Sequence, residues 1–250
     1  MACTASLVAA DGAAAPPGCA GARQQAVLAD VHDDGVLILE DGSMTNLRDI
    51  RLPDGDMGGN AVDLLRQFEG KPLLIASKTQ ENRWETSAVE AAPAEAPDGE
   101  SLAARLVDRG LAVVDSREHA ALCDLSLLQR EARARARKLG LWSNPANQPL
   151  WSGRPAEILK RKGSFTLVQG QVISVGGGRE WVFLNFGWKW NEDFTVRISK
   201  NQNHRVRPLP PEETLDYLKG KRVRVRGVID EWGGPLMTLY SLDMLEIWGD

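Results

Sequence analysis

Residues 27–54 read VLADVHDDGVLILEDGSMTNLRDIRLPD, and this stretch decides the kind of fold to expect. Val36 to Leu39 is an unbroken apolar run of the β type, and Asp41-Gly42 follows at once as a hairpin-turn signal. A second run, Thr45 to Ile50, is placed to pair back on the first. The chain therefore starts as a sheet protein, and the remaining elements are read outward from this hairpin.

Toward the C-terminus, Asp63 to Phe68 reads as a short helix, with Val62, Leu64, Leu65 and Phe68 near helical spacing. Pro72 to Ser77 reads as a strand. Residues 89–100, VEAAPAEAPDGE, carry Pro93 and Pro97, which predicts a solvated loop within the same domain. Ser101 to Arg109 reads as a helix with Ser101 as cap and Gly110 as stop, and Leu111 to Val114 as a strand. Leu125 to Leu139 is the strongest helix, its apolar stripe being Leu125, Leu128, Ala132, Ala136 and Leu139. Arginines fill much of its remaining surface, an arrangement expected of an exposed helix face offset by nearby acids.

Residues 144–153, NPANQPLWSG, are turn-rich and form the best linker. Beyond them the pattern is β: Phe165 to Val175, Trp181 to Phe186, Phe194 to Ile198, Lys221 to Ile229 and Leu236 to Tyr240, with a helix over Pro210 to Leu218. Five strands with a helix between the third and fourth predict a small OB-like barrel. The expected organisation is a disordered leader at 1–24, one β domain with helices at 25–145, and a second β domain at 154–249.

Bulk properties narrow the function classes. The 250 residues, 43% hydrophobic, suffice for one large core or two small ones. No run of about eighteen apolar residues is present, so no membrane-spanning helix is expected. The net charge of −4 is uneven: residues 151–250 hold 15 Lys+Arg against 12 Asp+Glu, and the acidic excess lies before them. The second half is thus the better candidate for meeting a polyanion.

Cys3, Cys19 and Cys123 lack metal-ligand spacing. A Cys3–Cys19 bridge in an oxidising compartment would leave Cys123 as an apolar filler. The opening MACTASLVAADGAAAPPGCAG lacks the basic start and long apolar run of a signal peptide. It reads as a flexible leader or as an end from which a signal has been removed. His32, His119 and His204 show no spacing for metal or triad chemistry.

Three segments resemble the staphylococcal-nuclease-like, or thermonuclease, family: residues 27–54, LVDRGLAVV at 106–114 and EARARARKLGLWS at 131–143. LNFG at 184–187, DFTV at 193–196, RVRG at 224–227 and Gly234-Pro235 resemble the C-terminal extension of some bacterial members. The resemblance implies an OB barrel with helices and, in active members, calcium-dependent hydrolysis of DNA and RNA. There two aspartates hold the ion, a glutamate helps activate water, and two arginines neutralise the phosphate.

This chain departs from that pattern. Aligned on Leu39-Glu40-Asp41-Gly42, the first metal aspartate falls on Gly35 and the second on Arg51. The first arginine falls on Asn46, the glutamate on Asp54, and the last arginine on Arg83. A guanidinium at position 51 repels calcium instead of ligating it. The expectation is a degenerate nuclease-like protein with no catalytic residues, no resident metal and no cofactor. It would act as a nucleic-acid-binding or protein-interaction module. The alternative is a weak metal-dependent phosphodiesterase using Asp33, Asp34 and Asp54, for which solvated loop carboxylates are the simpler account. Thermonuclease-like proteins are often exported, which would place this one in the periplasm if a signal peptide precedes Met1.

Two candidate interfaces remain. Trp188 and Trp190 flank Lys189 and are able to stack bases, although packing is the commoner role for such tryptophans. Arg222, Arg224 and Arg226 alternate with Val223 and Val225, as does a phosphate track on a half-buried strand, with Arg205 and Arg207 extending it. An ordinary solvated sheet face fits that alternation equally well.

Overall fold

The computed structural model describes residues 19, 21–77, 87–95, 100–116, 121–178, 180–189, 192–199 and 215–248. The first half opens with β1 (Arg23–Val31), β2 (Leu37–Leu39) and β3 (Met44–Leu47), consecutive antiparallel neighbours, so the hairpin read around Asp41-Gly42 is present. β4 (Ile50–Arg51) leaves this sheet and leads to α1 (Asp56–Arg66). The helix starts earlier than the reading of 63–68, because Gly58 and Gly59 mask its first turns in the sequence. Asp56 in its first turn and Arg66 in its last complement the helix dipole.

β5 (Pro72–Ser77) falls where expected, but β6 (Ser87–Pro93) corrects the loop assigned to 89–100. This strand lies between β3, to which it is parallel, and β5, to which it is antiparallel. It buries Val89, Ala91 and Ala92. Burial on a paired strand outweighs the weak β preference of alanine, and Pro93 is tolerated because it ends the strand. β5 returns to β1, so the sheet closes on itself in the order β1–β2–β3–β6–β5.

α2 (Leu102–Asp108) is capped by Ser101, whose Oγ accepts from the Ala104 amide. β7 (Val113–Val114) pairs with β4, and α3 (Ser126–Ala136) follows. Gly110 and Gly140, the stops of the two helical passages, meet: the Leu141 amide donates to the Gly110 carbonyl at 2.8 Å. Both have positive φ, and a Cβ on Gly110 would come within 2.2 Å of the Leu139 carbonyl. Only glycine serves here without displacing backbone. On α3 the expected stripe holds in part: Leu128 and Leu139 pack half-buried against the core. The buried positions are Leu127, Glu131, Ala134 and Arg135, while Leu125 and Ala136 are exposed.

The linker is itself structured. Short 3-10 turns at Gly140–Ser143 and Pro145–Asn147 precede β8 (Leu150–Trp151), which pairs parallel with β9 (Phe165–Gln171). Asn147 Nδ2 and Gln148 Nε2 donate to the Leu141 and Trp142 carbonyls. After α4 (Pro155–Leu159) and β9 come β10 (Ser174–Gly177), β11 (Trp181–Asn185), β12 (Thr195–Ser199), β13 (Arg222–Trp232), β14 (Gly234–Leu239) and β15 (Leu245–Ile247). The helix read over 210–218 lies mostly outside the described residues, and its end is a 3-10 turn, Asp216–Leu218.

The pairings of the second sheet repeat those of the first. With β9 and β10 taken as one strand bent at Val172-Ile173, the neighbours run first, second, third, fifth, fourth, and back to first. The third and fifth strands, β12 and β14, are parallel, as are β3 and β6 in the first half. The two sheets are separate, yet their apolar residues form one continuous core from Leu28 to Met244. Among the described residues no helix is long and apolar enough to cross a membrane.

The disulfide joins Cys19 to Cys123. Cys123 is therefore not the free apolar filler expected, and Cys19 is not available to Cys3, which lies outside the described residues. The amides of Cys123 and Asp124 both donate to Asp49 Oδ2 at 2.9 Å, which presents Cys123 to its partner.

Candidate nucleic-acid interface

Of the positions that the thermonuclease resemblance singles out, Gly35, Asn46, Arg51 and Asp54 lie among the described residues. Gly35 ends the turn between β1 and β2 with φ +87°, and a Cβ there would fall 2.2 Å from Leu52 Cδ1. Asn46 is half-buried on β3, and Asp54 is exposed before α1. Arg51 is held by Asp115 at 2.9 Å, with its guanidinium 5.1 Å from the Phe165 ring of the second half. Arg83 lies outside the described residues.

The carboxylates of the alternative reading are engaged separately. Asp33 pairs with Arg66 at 2.7 Å and Asp34 with His32 at 2.9 Å. The His32 hydrogen bond holds Asp34 below the usual carboxylate range, and Asp34 in turn raises the His32 pKa. Among the described residues no three His, Cys, Asp or Glu side chains are gathered to hold a metal. Asp33, Asp34 and Asp54 are thus not brought together as a cluster.

The arginine row is corrected by packing. Arg222, Arg224 and Arg226 do alternate with buried Val223 and Val225, but Trp248 packs on Arg224 and Glu131 of α3 on Arg226. Arg222 stays exposed. Arg224 donates to Gln169 Oε1 at 3.1 Å and lies over the Trp248 ring, and burial lowers its pKa. Arg226 is 0% exposed, paired with Glu131 at 2.8 Å and with Glu246. Burial alone would lower its pKa, but the Glu131 and Glu246 carboxylates more than offset this, and it is raised. A track of three solvated guanidinium groups is therefore absent. Arg205 and Arg207 lie outside the described residues.

The open face of the second sheet has a different composition. On β11 Trp181, Phe183 and Asn185 alternate with buried Val182 and Leu184 and point outward. Asn185 pairs in register with Thr195 and Phe183 with Arg197 on β12, and these in turn pair with Leu236 and Thr238 on β14. At one end of this face is a hollow of about 370 Å³, mostly apolar, between the β10–β11 and β13–β14 turns. Gly176, Gly177 and Gly178 form one wall, and Phe183, Trp232 and Leu236 the others. Phe183 and Trp232 are stacked, with centroids 6.5 Å apart. Trp232 is 60% exposed despite its size.

Arg197 stands two residues beyond Thr195, which lines the hollow, on the same face of β12. Its Nε donates to Thr238 Oγ1 at 2.7 Å, and the guanidinium lies 4.7 Å from the Trp181 ring. Among the described residues it has no carboxylate partner. A cation held flat on an aromatic, beside an apolar aromatic hollow, has the two elements that bind a single strand: a stacking surface and a phosphate contact. Trp188, on the turn after β11, is 87% exposed, so packing does not account for it. Trp190 lies outside the described residues.

Trp181, Phe183, Arg197 and Trp232 were missed as site residues. The alternation in WVFLN at 181–185 and TVRIS at 195–199 carries the signal for Trp181, Phe183 and Arg197, since it places these side chains outward, while Trp232 lies outside both segments at the end of β13. Neither the protein-family models nor the curated proteins compared with this chain give a match.

Proposed function

We propose that this chain is a binding protein for single-stranded nucleic acid, built from two OB-like barrels. In this reading the first is a thermonuclease-like barrel without calcium chemistry, and the second carries the binding face. The shared strand order, with parallel third and fifth strands and α1 between the third and fourth in the first half, supports the OB-like part of this reading. The observation that carries the reading is the hollow of Phe183, Trp232 and the three glycines, with Arg197 two residues along β12 from its lining residue Thr195 and Asp193 the one carboxylate in its wall. Strand faces flanked by these two turns are where OB barrels take oligonucleotides. Arg51 at a former metal position and the strained setting of Gly35 argue against the phosphodiesterase alternative. The Cys19–Cys123 bond favours an oxidising compartment such as the periplasm.

The test is fluorescence anisotropy of the purified chain with labelled oligothymidylate at low salt. Binding that weakens on Phe183→Ala supports the reading. Absence of binding at low salt refutes it and leaves a protein partner, for which exposed Trp188 is the best contact.

A further inference from the structure

We infer that the cavity between the two halves of the molecule takes a further nucleotide of the strand bound at the hollow. This deepens the single-strand reading and rests on it. The cavity is about 680 Å³, within the range of small-molecule sites, and is lined from both halves. Arg51 comes from β4, Phe165 from β9, Lys162 from the segment before β9, and Arg197, Asp230 and Tyr240 from the region of β12 to β14.

The argument is one of continuity. Arg197 and Thr238 line the cavity, and Thr195 and Leu236, two residues earlier on the same strands, line the hollow. Two residues along a strand span about 7 Å and return to the same face. Hollow and cavity are thus neighbours on one surface, and Arg197 lines the cavity on the side toward the hollow. A ligand leaving the hollow along β12 and β14 meets Arg197, which has no carboxylate partner among the described residues, and then the cavity.

The lining also matches the chemistry of a nucleotide. Phe165 and Tyr240 offer aromatic surface and Arg197 offers charge to phosphate, while Lys162, at the rim, is paired with Glu231 at 2.7 Å and would have to exchange that carboxylate for a phosphate. Asp230 is an acceptor for the N–H groups of a base edge, which a pocket built for phosphate alone would not need.

The experiment measures binding of the full chain to labelled oligothymidylates spanning about two to sixteen nucleotides, the range that covers OB-type sites. It compares wild type with Lys162→Gln and Tyr240→Ala, after thermal melts have established that both variants fold. The expected result is that wild-type affinity keeps rising beyond the shortest strands. Each variant should lose about tenfold on long strands and under about twofold on the shortest. If long strands bind both variants as they bind wild type, the cavity is not part of the site, and the single-strand reading stands without it. If no strand of any length binds wild type at low salt, the single-strand reading fails and this inference fails with it.

Discussion

Arg226 of β13 and Glu131 of α3 form an ion pair at 2.8 Å in which neither side chain is exposed. The pair joins the two halves of the molecule. Glu131 also accepts from the Val114 amide and from Arg135, and Arg226 from the other side donates to the Val114 carbonyl and to Glu246. Each charge is dispersed over several partners, which is the condition under which a buried ion pair is tolerated.

Removing one partner should therefore be costly. Arg226→Ala leaves Glu131 buried with fewer cations, and the expected loss is about 3–5 kcal/mol in chemical denaturation. Replacing both, as Arg226→Met with Glu131→Leu, should recover much of it, since two apolar side chains carry no desolvation penalty. A single-variant loss under about 1 kcal/mol would show that the pair is solvated in solution.

The disulfide yields a second expectation. Cys19 and Cys123 are 104 residues apart, so the bond closes a long loop in the unfolded chain. Cys19→Ser with Cys123→Ser should cost about 2–4 kcal/mol. Reduction of the wild type should lower the melting temperature similarly, and Cys3→Ser should change neither. A Cys3→Ser effect as large as that of Cys19→Ser would contradict the pairing.

Calcium should not bind micromolar at the former nuclease positions, by calorimetry. Nor should Gly35→Asp with Arg51→Asp rebuild a good site. Gly35 has φ +87° and Leu52 against it, so any side chain there is strained, by about 1–3 kcal/mol. Arg51→Asp also places a second carboxylate beside Asp115. A micromolar calcium site in wild type would overturn the reading of a degenerate site.

His32 reports on pH. Its pKa should lie above 6.5 by NMR titration because of Asp34, and Asp34→Asn should bring it back toward that value. For stability the signs are opposite. The raised histidine contributes below its unfolded pKa and loses the contribution as pH rises through the folded value. The lowered Asp34 contributes above its unfolded pKa and loses it as pH falls through the folded value. The pair is thus worth most between about pH 4 and 6.5, and little in total because both groups are exposed.

Arg197 is the direct test of the binding face. Arg197→Gln should reduce the slope of log affinity against log salt by about 0.7, one phosphate on a single strand. Phe183→Ala should weaken binding by about 1–3 kcal/mol with little change in slope, because stacking releases few ions. Replacing Arg222, Arg224 and Arg226 together should destabilise the fold instead of flattening the slope. An unchanged slope for Arg197→Gln would remove the phosphate role.

Much of the fold was legible where local chemistry and tertiary packing agree. The β2–β3 hairpin follows from an apolar run and Asp41-Gly42, and α2 from Ser101 and Gly110. The strands of the second half follow from alternation. In these places backbone preference and side-chain period are properties of neighbouring residues, which a sequence displays directly. The same holds for the outward set Trp181 and Phe183, although its meaning as a face required the neighbouring strands.

Tertiary structure alone decided the rest. Alternation along β13 correctly separated the arginines from the valines, but it could not say that α3 lies over Arg226, because Glu131 is 95 residues away. The buried face of α3 went wrong for the same reason: charged Glu131 and Arg135 are core residues only because Arg226 and the Val114 amide meet them there. β6 needed β3 and β5 on either side to outweigh alanine and proline. Cys19 found Cys123 through a fold that closes over more than a hundred residues. Sequence pattern reports which face of an element is apolar or charged; what covers that face depends on contacts between distant segments, and those exist only in the folded chain.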